Sequence, residues 1–248
     1  MVFSLAGEEN RMASLRVGGE NMTEVFDCKA AEDINKARLD HLASMGLDLS
    51  NKTVLEVGAG IGKLTGFFEE RNCHVLSTEA RPDNVKVFRD RYPKRHVELV
   101  DLNVPGSHIQ FGFFDIVFMY GTLYHLSSPS LSLSDLARVC TGILLLETMV
   151  SPQDDGLVNP WKEKSSTVNQ SADGLGCRPG RDWVMKELKK NFPFVYATLT
   201  QPIHKEYPLC WPAVPGVNCR SIFVASKAPL KNTYLTESLP KIQTQGGA

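Results

Sequence analysis

The chain has almost no net charge. Its 27 Lys and Arg against 28 Asp and Glu leave a formal −1 over 248 residues, so no global field argues for nucleic-acid binding, although a local basic patch stays open. No apolar run approaches the roughly 20 residues that span a bilayer. Met1 to Glu20 has no charged segment followed by a long apolar one, so neither a signal peptide nor a membrane partner is expected, and the expected location is cytoplasmic. No internal repeat is visible. The six cysteines (Cys28, Cys73, Cys140, Cys177, Cys210 and Cys219) form no C-x-x-C pair, and no His/Cys cluster has zinc spacing, so no metal is expected. Reduced thiols are the plain reading, with a Cys210–Cys219 disulfide as the alternative. Nothing in the sequence fixes an oligomeric state. What is present is ordinary: 42% hydrophobic and 22% charged residues, enough for one α/β domain with a substantial core.

Short apolar runs alternate with helical periodicity from residue 30 onward. A helix is expected over 30–46, where Ile34, Ala37, His41, Leu42 and Met45 recur at helical spacing and Gly46 suits the stop. Strands are expected over 53–58, 74–79, 97–101, 114–120, 142–148, 194–199 and 221–226. Helices are expected over 62–71, from Pro82 to about Tyr92, and over 131–139 and 182–191. Such strands suit a parallel sheet with helices on both faces. Residues 1–22 read as a flexible lead-in, 23–228 as a single domain and 229–248 as a flexible tail. Two irregular stretches, 151–181 and 201–219, interrupt the rhythm and read as caps over a substrate.

The run Val54-Leu55-Glu56-Val57-Gly58-Ala59-Gly60-Ile61-Gly62 carries the strongest signal. It is a buried strand ending in a glycine loop that opens a helix. A dinucleotide fingerprint needs G-x-G-x-x-G, and Lys63 stands where its last glycine would be. The pattern here is E-x-G-x-G-x-G. It resembles the first motif of the class I S-adenosylmethionine (SAM) dependent methyltransferases. That resemblance implies a Rossmann-like seven-stranded mixed sheet, with the last strand antiparallel between the fifth and sixth. It implies SAM as cofactor, with Glu56 near the amino-acid tail and Gly58, Gly60 and Gly62 giving close backbone approach. Glu79, at the end of the second strand, suits the ribose hydroxyls. Arg81 either covers the adenine face or caps the turn. Asp101 and the backbone of Leu102 fall where the family meets the adenine ring. Asn35 and Arg38 lie on a helix that often closes over SAM in the family, or are simply a polar helix face.

Asp115 to Leu126 reads D-I-V-F-M-Y-G-T-L-Y-H-L. It is similar to the fourth strand and following loop of many class I members, and this likeness places Tyr120, Gly121, Tyr124 and His125 beside the methyl group. SAM arrives already activated, so the protein must align a nucleophile and, for a hydroxyl, take its proton. His125 is the first candidate base, since imidazole titrates near neutrality; the alternative is a local structural role. His204, in Gln201-Pro202-Ile203-His204, is a second candidate or a plain surface residue, and Tyr124 completes the catalytic set. Arg178 and Arg181 suit an anionic or hydroxyl-rich substrate. Asp182 is a candidate N-cap. Trp161 and Trp211 either wall a pocket or pack the cap.

The expected activity is methyl transfer to a small molecule or glycan, at a hydroxyl oxygen, by in-line displacement with a histidine base. The loop lacks the Asn/Asp-Pro-Pro-Tyr/Phe motif that the family uses on base and glutamine amino groups, and no acid cluster resembles the magnesium site of catechol-type members. The later G-C-R-P and Q-P-x-H stretches are similar to bacterial proteins grouped with FkbM-type sugar and natural-product O-methyltransferases. Alternatives are a tRNA- or RNA-modifying enzyme, since a similar L-Y-H loop occurs in enzymes of wobble uridine, and a non-catalytic SAM-binding subunit. A NAD-dependent dehydrogenase ranks behind them because of Lys63.

Overall fold

The computed structural model describes residues 24–216 and 218–246; the lead-in expected over 1–22 lies outside the described residues. A single turn, α1 (Glu24–Asp27), precedes α2 (Lys29–Ser44), whose Ile34 and Leu42 are buried. Then come β1 (Thr53–Val57), α3 (Gly66–Glu69), β2 (His74–Glu79), α4 (Pro82–Arg91), β3 (His96–Leu99), β4 (Phe114–Tyr120), α5 (Pro129–Val139) and β5 (Cys140–Val150). The second half holds β6 (Pro160–Lys162), β7 (Leu175–Cys177), α6 (Arg181–Asn191), β8 (Phe194–Thr198), β9 (Thr200–Gln201), β10 (Cys219–Ser226), β11 (Leu235–Thr236) and β12 (Thr244–Gln245).

The main sheet runs β11-β8-β10-β5-β4-β1-β2-β3. β1 pairs in parallel with both β2 and β4, while β10 is antiparallel to β5 and β8. The expected architecture is therefore present, last long strand included. The count differs: among the described residues the sheet has eight strands rather than seven, because Leu235–Thr236 pairs antiparallel with Ala197–Thr198 at the edge. The chain winds outward from β1 to β3 and returns through β4, so the carboxyl ends of β1 and β4 flank the crevice where such sheets bind ligands.

Alternation along the strands builds a core on each face. Leu55, Val57, Val117 and Met119 join one apolar cluster, and Val54, Ile116, Phe118 and Tyr120 the other. On α5, Leu133 and Leu136 seal the first face, and on α2, Leu42 seals the second. No helix among the described residues is long and apolar enough to cross a membrane.

Three local expectations need correction. The helix expected over 62–71 forms only over Gly66–Glu69, because Gly62 at φ 82° stands outside helical torsions. The segment 151–181 is not wholly irregular, since Pro160–Lys162 and Leu175–Cys177 pair as a small antiparallel ribbon. The tail is not frayed over its described part. Thr244–Gln245 pairs with Thr200–Gln201, Trp211 N–H donates to the Lys241 carbonyl at 2.9 Å, and Asn232 Nδ2 reaches the Met45 carbonyl at 2.7 Å. The tail supplies the buried Gln243, which takes the Trp211 indole N–H at 2.8 Å. The described residues hold no disulfide, so the Cys210–Cys219 bridge, the alternative reading, does not form.

Candidate active site

One cavity of about 440 Å³ opens at the carboxyl ends of β1 to β4, within the size range of small-ligand pockets. Its first wall is the glycine loop. Gly58 has φ 66°, and an added Cβ there would fall 2.2 Å from Thr122 Oγ1. Thr122 in turn donates to the Val57 carbonyl at 3.0 Å, so glycine alone lets β1 and the β4 loop close together. Gly60 N–H donates to Glu79 Oε2 at 2.9 Å. Glu79 Oε1 accepts from Arg81 N–H at 3.0 Å and Asn84 Nδ2 at 3.2 Å. Burial raises the Glu79 carboxyl above its ordinary range, against the lowering effect of these three donors. A carboxylate has about four acceptor positions; Oε1 already accepts two donors and Oε2 one, so Oε2 keeps a position for a ligand's hydroxyl. Asp101 and Leu102, just past β3, line the next stretch of wall, and Tyr120 and Gly121 follow at the end of β4.

A loop from the second half covers this wall. Val168 to Ala172 line the cavity, and Arg81 ties them down. Its Nη2 donates to the carbonyls of Ser165, Gln170 and Ser171 at 2.8, 3.0 and 2.9 Å. Asn84 Nδ2 adds a bond to the Val168 carbonyl at 3.0 Å. Arg81 thus acts as a strap on the covering loop; its backbone, through Glu79, belongs to the pocket wall.

On the opposite side His125 and Tyr124 line the cavity. His125 Nδ1 meets Glu163 Oε2 at 2.5 Å, and the Glu163 side chain is sealed from solvent. The same oxygen accepts Ser171 N–H at 2.7 Å, and Oε1 takes Arg178 Nη1 and Nη2, both at 3.3 Å. Burial would raise the Glu163 carboxyl, but the hydrogen bond from His125, the Ser171 N–H and Arg178 together hold it below its ordinary range. An ionised Glu163 fixes the imidazole with its proton on Nδ1 and leaves the Nε2 lone pair as the only acceptor. That is the arrangement of a base with its orienting acid.

His204 also lines the cavity, with Nδ1 accepting Glu206 N–H at 3.3 Å. Burial lowers its pKa. Around it lies a buried ionic cluster. Glu147, on β5, takes Arg38 Nη2 at 2.8 Å, Tyr207 Oη at 3.0 Å and Arg220 Nη1 at 3.1 Å. Burial alone would raise Glu147, and the two arginines outweigh it, so it stays ionised.

Several expected residues stand elsewhere. Glu56 does not line the cavity; its Oε2 accepts Thr65 Oγ1 at 2.6 Å and Ser77 Oγ at 2.7 Å inside the fold. Gly62 makes room for a ring rather than a ligand: a Cβ there would lie 2.6 Å from Phe88 Cε2. Trp161 is 53% exposed on β6 and outside the cavity. Arg178 does not line the cavity; it stands behind Glu163 and also donates to the Tyr124 carbonyl at 3.3 Å. Arg181 is 1% exposed, pairs with Asp154 through Nε at 2.7 Å and Nη2 at 2.6 Å, and stacks 3.8 Å from the Trp211 ring, as part of the cap's frame. Trp211 is packed in that frame too. Asp182 is not the N-cap of α6, which is Gly180. Asn35 and Arg38 do line the cavity. Glu163, Glu147 and Arg220 were not foreseen. Their one sequence signal was a charge inside an otherwise apolar strand, for Glu147.

Residues 55–143 match the family model described as a methyltransferase domain. No curated protein matches the chain. Among solved structures, the N-terminal domain of EvdMO1 with SAH bound aligns with a TM-score of 0.60 at 21% identity, covering 77% of this chain and 79% of that one. Magnesium protoporphyrin IX methyltransferase (ChlM) from Synechocystis PCC 6803 with bound SAM aligns at 0.53 and 14% identity, over 83% of this chain and 89% of that one. The glycopeptide N-methyltransferase MtfA complexed with SAM aligns at 0.53 and 16%, over 79% and 94%. At these identities the likeness is one of fold.

Proposed function

We propose that this chain, a class I SAM-dependent methyltransferase by its domain match and fold, moves the methyl group onto a hydroxyl oxygen of a small molecule or glycan, with His125 as base. The observation that carries the reading is the meeting of the glycine loop, Glu79, Asp101 and the His125–Glu163 pair on one cavity. The cavity-lining loop at Gly58 and Gly60 and the spare acceptor position of Glu79 suit an adenosine with an amino-acid tail. Glu79 would hold the ribose, Asp101 and Leu102 the adenine edge, and the Gly58–Gly60 backbone with Gly121 the tail. Bound there, the sulfonium supplies an activated methyl carbon.

The chain's own residues do the rest. Glu163 keeps the His125 proton on Nδ1, so Nε2 takes the hydroxyl proton as the acceptor oxygen bonds to the methyl carbon and the carbon–sulfur bond breaks. The Val168–Ala172 loop, strapped by Arg81 and Asn84, keeps water from the donor. Tyr124, whose ring lies 4.0 Å from that of His125, offers a face for the acceptor. The test is a labelled-methyl transfer screen against a metabolite extract, with mass spectrometry of the product. An O-methylated small molecule or sugar supports the reading; a product methylated at nitrogen, carbon or RNA overturns the hydroxyl assignment.

A further inference from the structure

Between the end of β4 and the Glu147 cluster the cavity carries hydrogen-bonding capacity that the methyl-transfer reading does not use. Arg38 is fully engaged: Nη2 with Glu147, Nη1 with Asn35 Oδ1 at 2.9 Å and Nε with Tyr207 Oη at 3.3 Å. Arg220 is not. Its Nε donates to Glu206 Oε2 at 2.6 Å and its Nη1 to Glu147 Oε1 at 3.1 Å, which leaves Nη2 outside both pairs. Arg220 nonetheless lines the cavity and is 8% exposed. Tyr120 is an independent second observation. It lines the same cavity at 4% exposure, and its hydroxyl has no hydrogen-bond partner. Burial, with the Glu147 charge beside it, keeps that phenol protonated and therefore a donor. Lys205 stands exposed at the same cavity.

Two arginines and two glutamates cancel within the cluster, so its pairs are closed and the leftover groups decide what it can hold. The leftovers are donors: one guanidinium nitrogen and one phenol, beside an ammonium. A buried phenol without an acceptor is costly and calls for a ligand that supplies one, and a guanidinium edge on the same cavity can share that ligand. A planar oxyanion meets a guanidinium edge and a hydroxyl at once.

We infer that the methyl acceptor is a hydroxylated carboxylic acid, and that Arg220 Nη2 and the Tyr120 hydroxyl bind its carboxylate while Lys205 draws it in. This rests on the reading of the cavity as a methyl-transfer site. The placement suits it: the Arg220 Cζ lies 5.1 Å from the Tyr124 ring centroid, and the His125 ring 4.0 Å from the same centroid. One aromatic ring thus neighbours both the carboxylate subsite and the base. SAM has a carboxylate of its own, so the chemistry is shared and the experiment must separate the two sources.

Calorimetry does so in two arms. SAH, which keeps the donor's tail carboxylate, is titrated into the wild-type chain, Arg220→Lys and Tyr120→Phe. With SAH saturating, 4-hydroxybenzoate, salicylate and glucuronate are then titrated against 4-hydroxybenzamide, salicylamide and glucose. The expected result is at least a tenfold preference of the wild type for one acid over its neutral partner, lost in both variants, with SAH affinity within threefold throughout. Absence of any preference in the wild type overturns the inference. So does a tenfold loss of SAH affinity in the variants, which would give the subsite to the donor's tail. Tyr120→Phe removes only an oxygen without a partner in the protein, so it decides the matter even if Arg220→Lys does not fold. Failure of the wild type to bind SAH would overturn the methyltransferase reading itself, whereas SAH binding without acid preference overturns the carboxylate alone.

Discussion

The two walls of the cavity are built over very different stretches of chain. On the donor side, Gly60 and Glu79 are 19 residues apart and Glu79 and Asn84 are 5 apart. On the acceptor side, Arg38 reaches Glu147 across 109 residues and Tyr207 across 169, and Arg220 reaches Glu147 across 73. The first wall is a local consequence of one strand–loop–helix unit. The second exists only once the whole sheet has closed, because α2, β5, β10 and the 201–207 loop must meet. On the proposed reading, the first wall should therefore be shared widely among proteins of this fold, while the second is where a methyl acceptor would be selected.

Substitutions can break that division. The largest expected effect is His125→Ala, which should lower methyl transfer by about 10²–10⁴-fold while SAH affinity, read by calorimetry, stays within about twofold; an equal loss of both would merge the two walls into one. Arg181→Ala belongs to neither. Loss of its ion pair with the partly exposed Asp154 and of its stacking on Trp211 should cost roughly 1–3 kcal/mol of stability in urea unfolding with SAH affinity of the folded protein intact. A changed affinity there would mean that the cap frame reaches the donor wall.

Acid should loosen both walls. Burial lowers His41, behind the acceptor wall, and His108, behind the donor wall, each to about 4. Their unfolded values lie near 6.5, so the unfolded chain takes protons that the folded chain refuses. The stability they support is complete above pH 6.5 and falls away as pH drops toward 4, by at most about 3 kcal/mol for each histidine. Thermal melts across that range should show the decline, and His108→Gln should flatten part of it. A flat profile in the wild type would contradict the burial of both rings. The smallest effect is Glu163→Gln. It should lower kcat about tenfold, roughly 1.4 kcal/mol, with KM and SAH affinity unchanged. A shift in KM instead would make Glu163 part of the cap rather than the orienter of His125.

The same division explains what the sequence made legible. The strands over 74–79 and 114–120 and the helix opening at Pro82 stand where periodicity puts them, as does the antiparallel last long strand that the family resemblance implied. Gly58 and Gly60 announce themselves because a tight turn at a strand end admits few other residues. Glu56 misled, because the motif names an acid without saying which way its strand turns it; Thr65 and Ser77 hold it inside. Glu163 was hidden because it lies in a stretch with no periodicity, and its role depends on Ser171 and Arg178 folding around it. The eighth strand escaped for a similar reason. Two residues at a sheet edge have no pattern of their own, and only contact with β8 makes them a strand.

The central claim, that the glycine loop and Glu79 form a donor site separate from the His125 wall, is tested most directly by calorimetric titration of SAH into the wild-type chain, Glu79→Ala and His125→Ala. The account predicts binding by the wild type and by His125→Ala with similar affinity, loss of binding by Glu79→Ala, and no heat from NAD with any of them. Tight NAD binding, or SAH affinity untouched by Glu79→Ala in a folded protein, would contradict it.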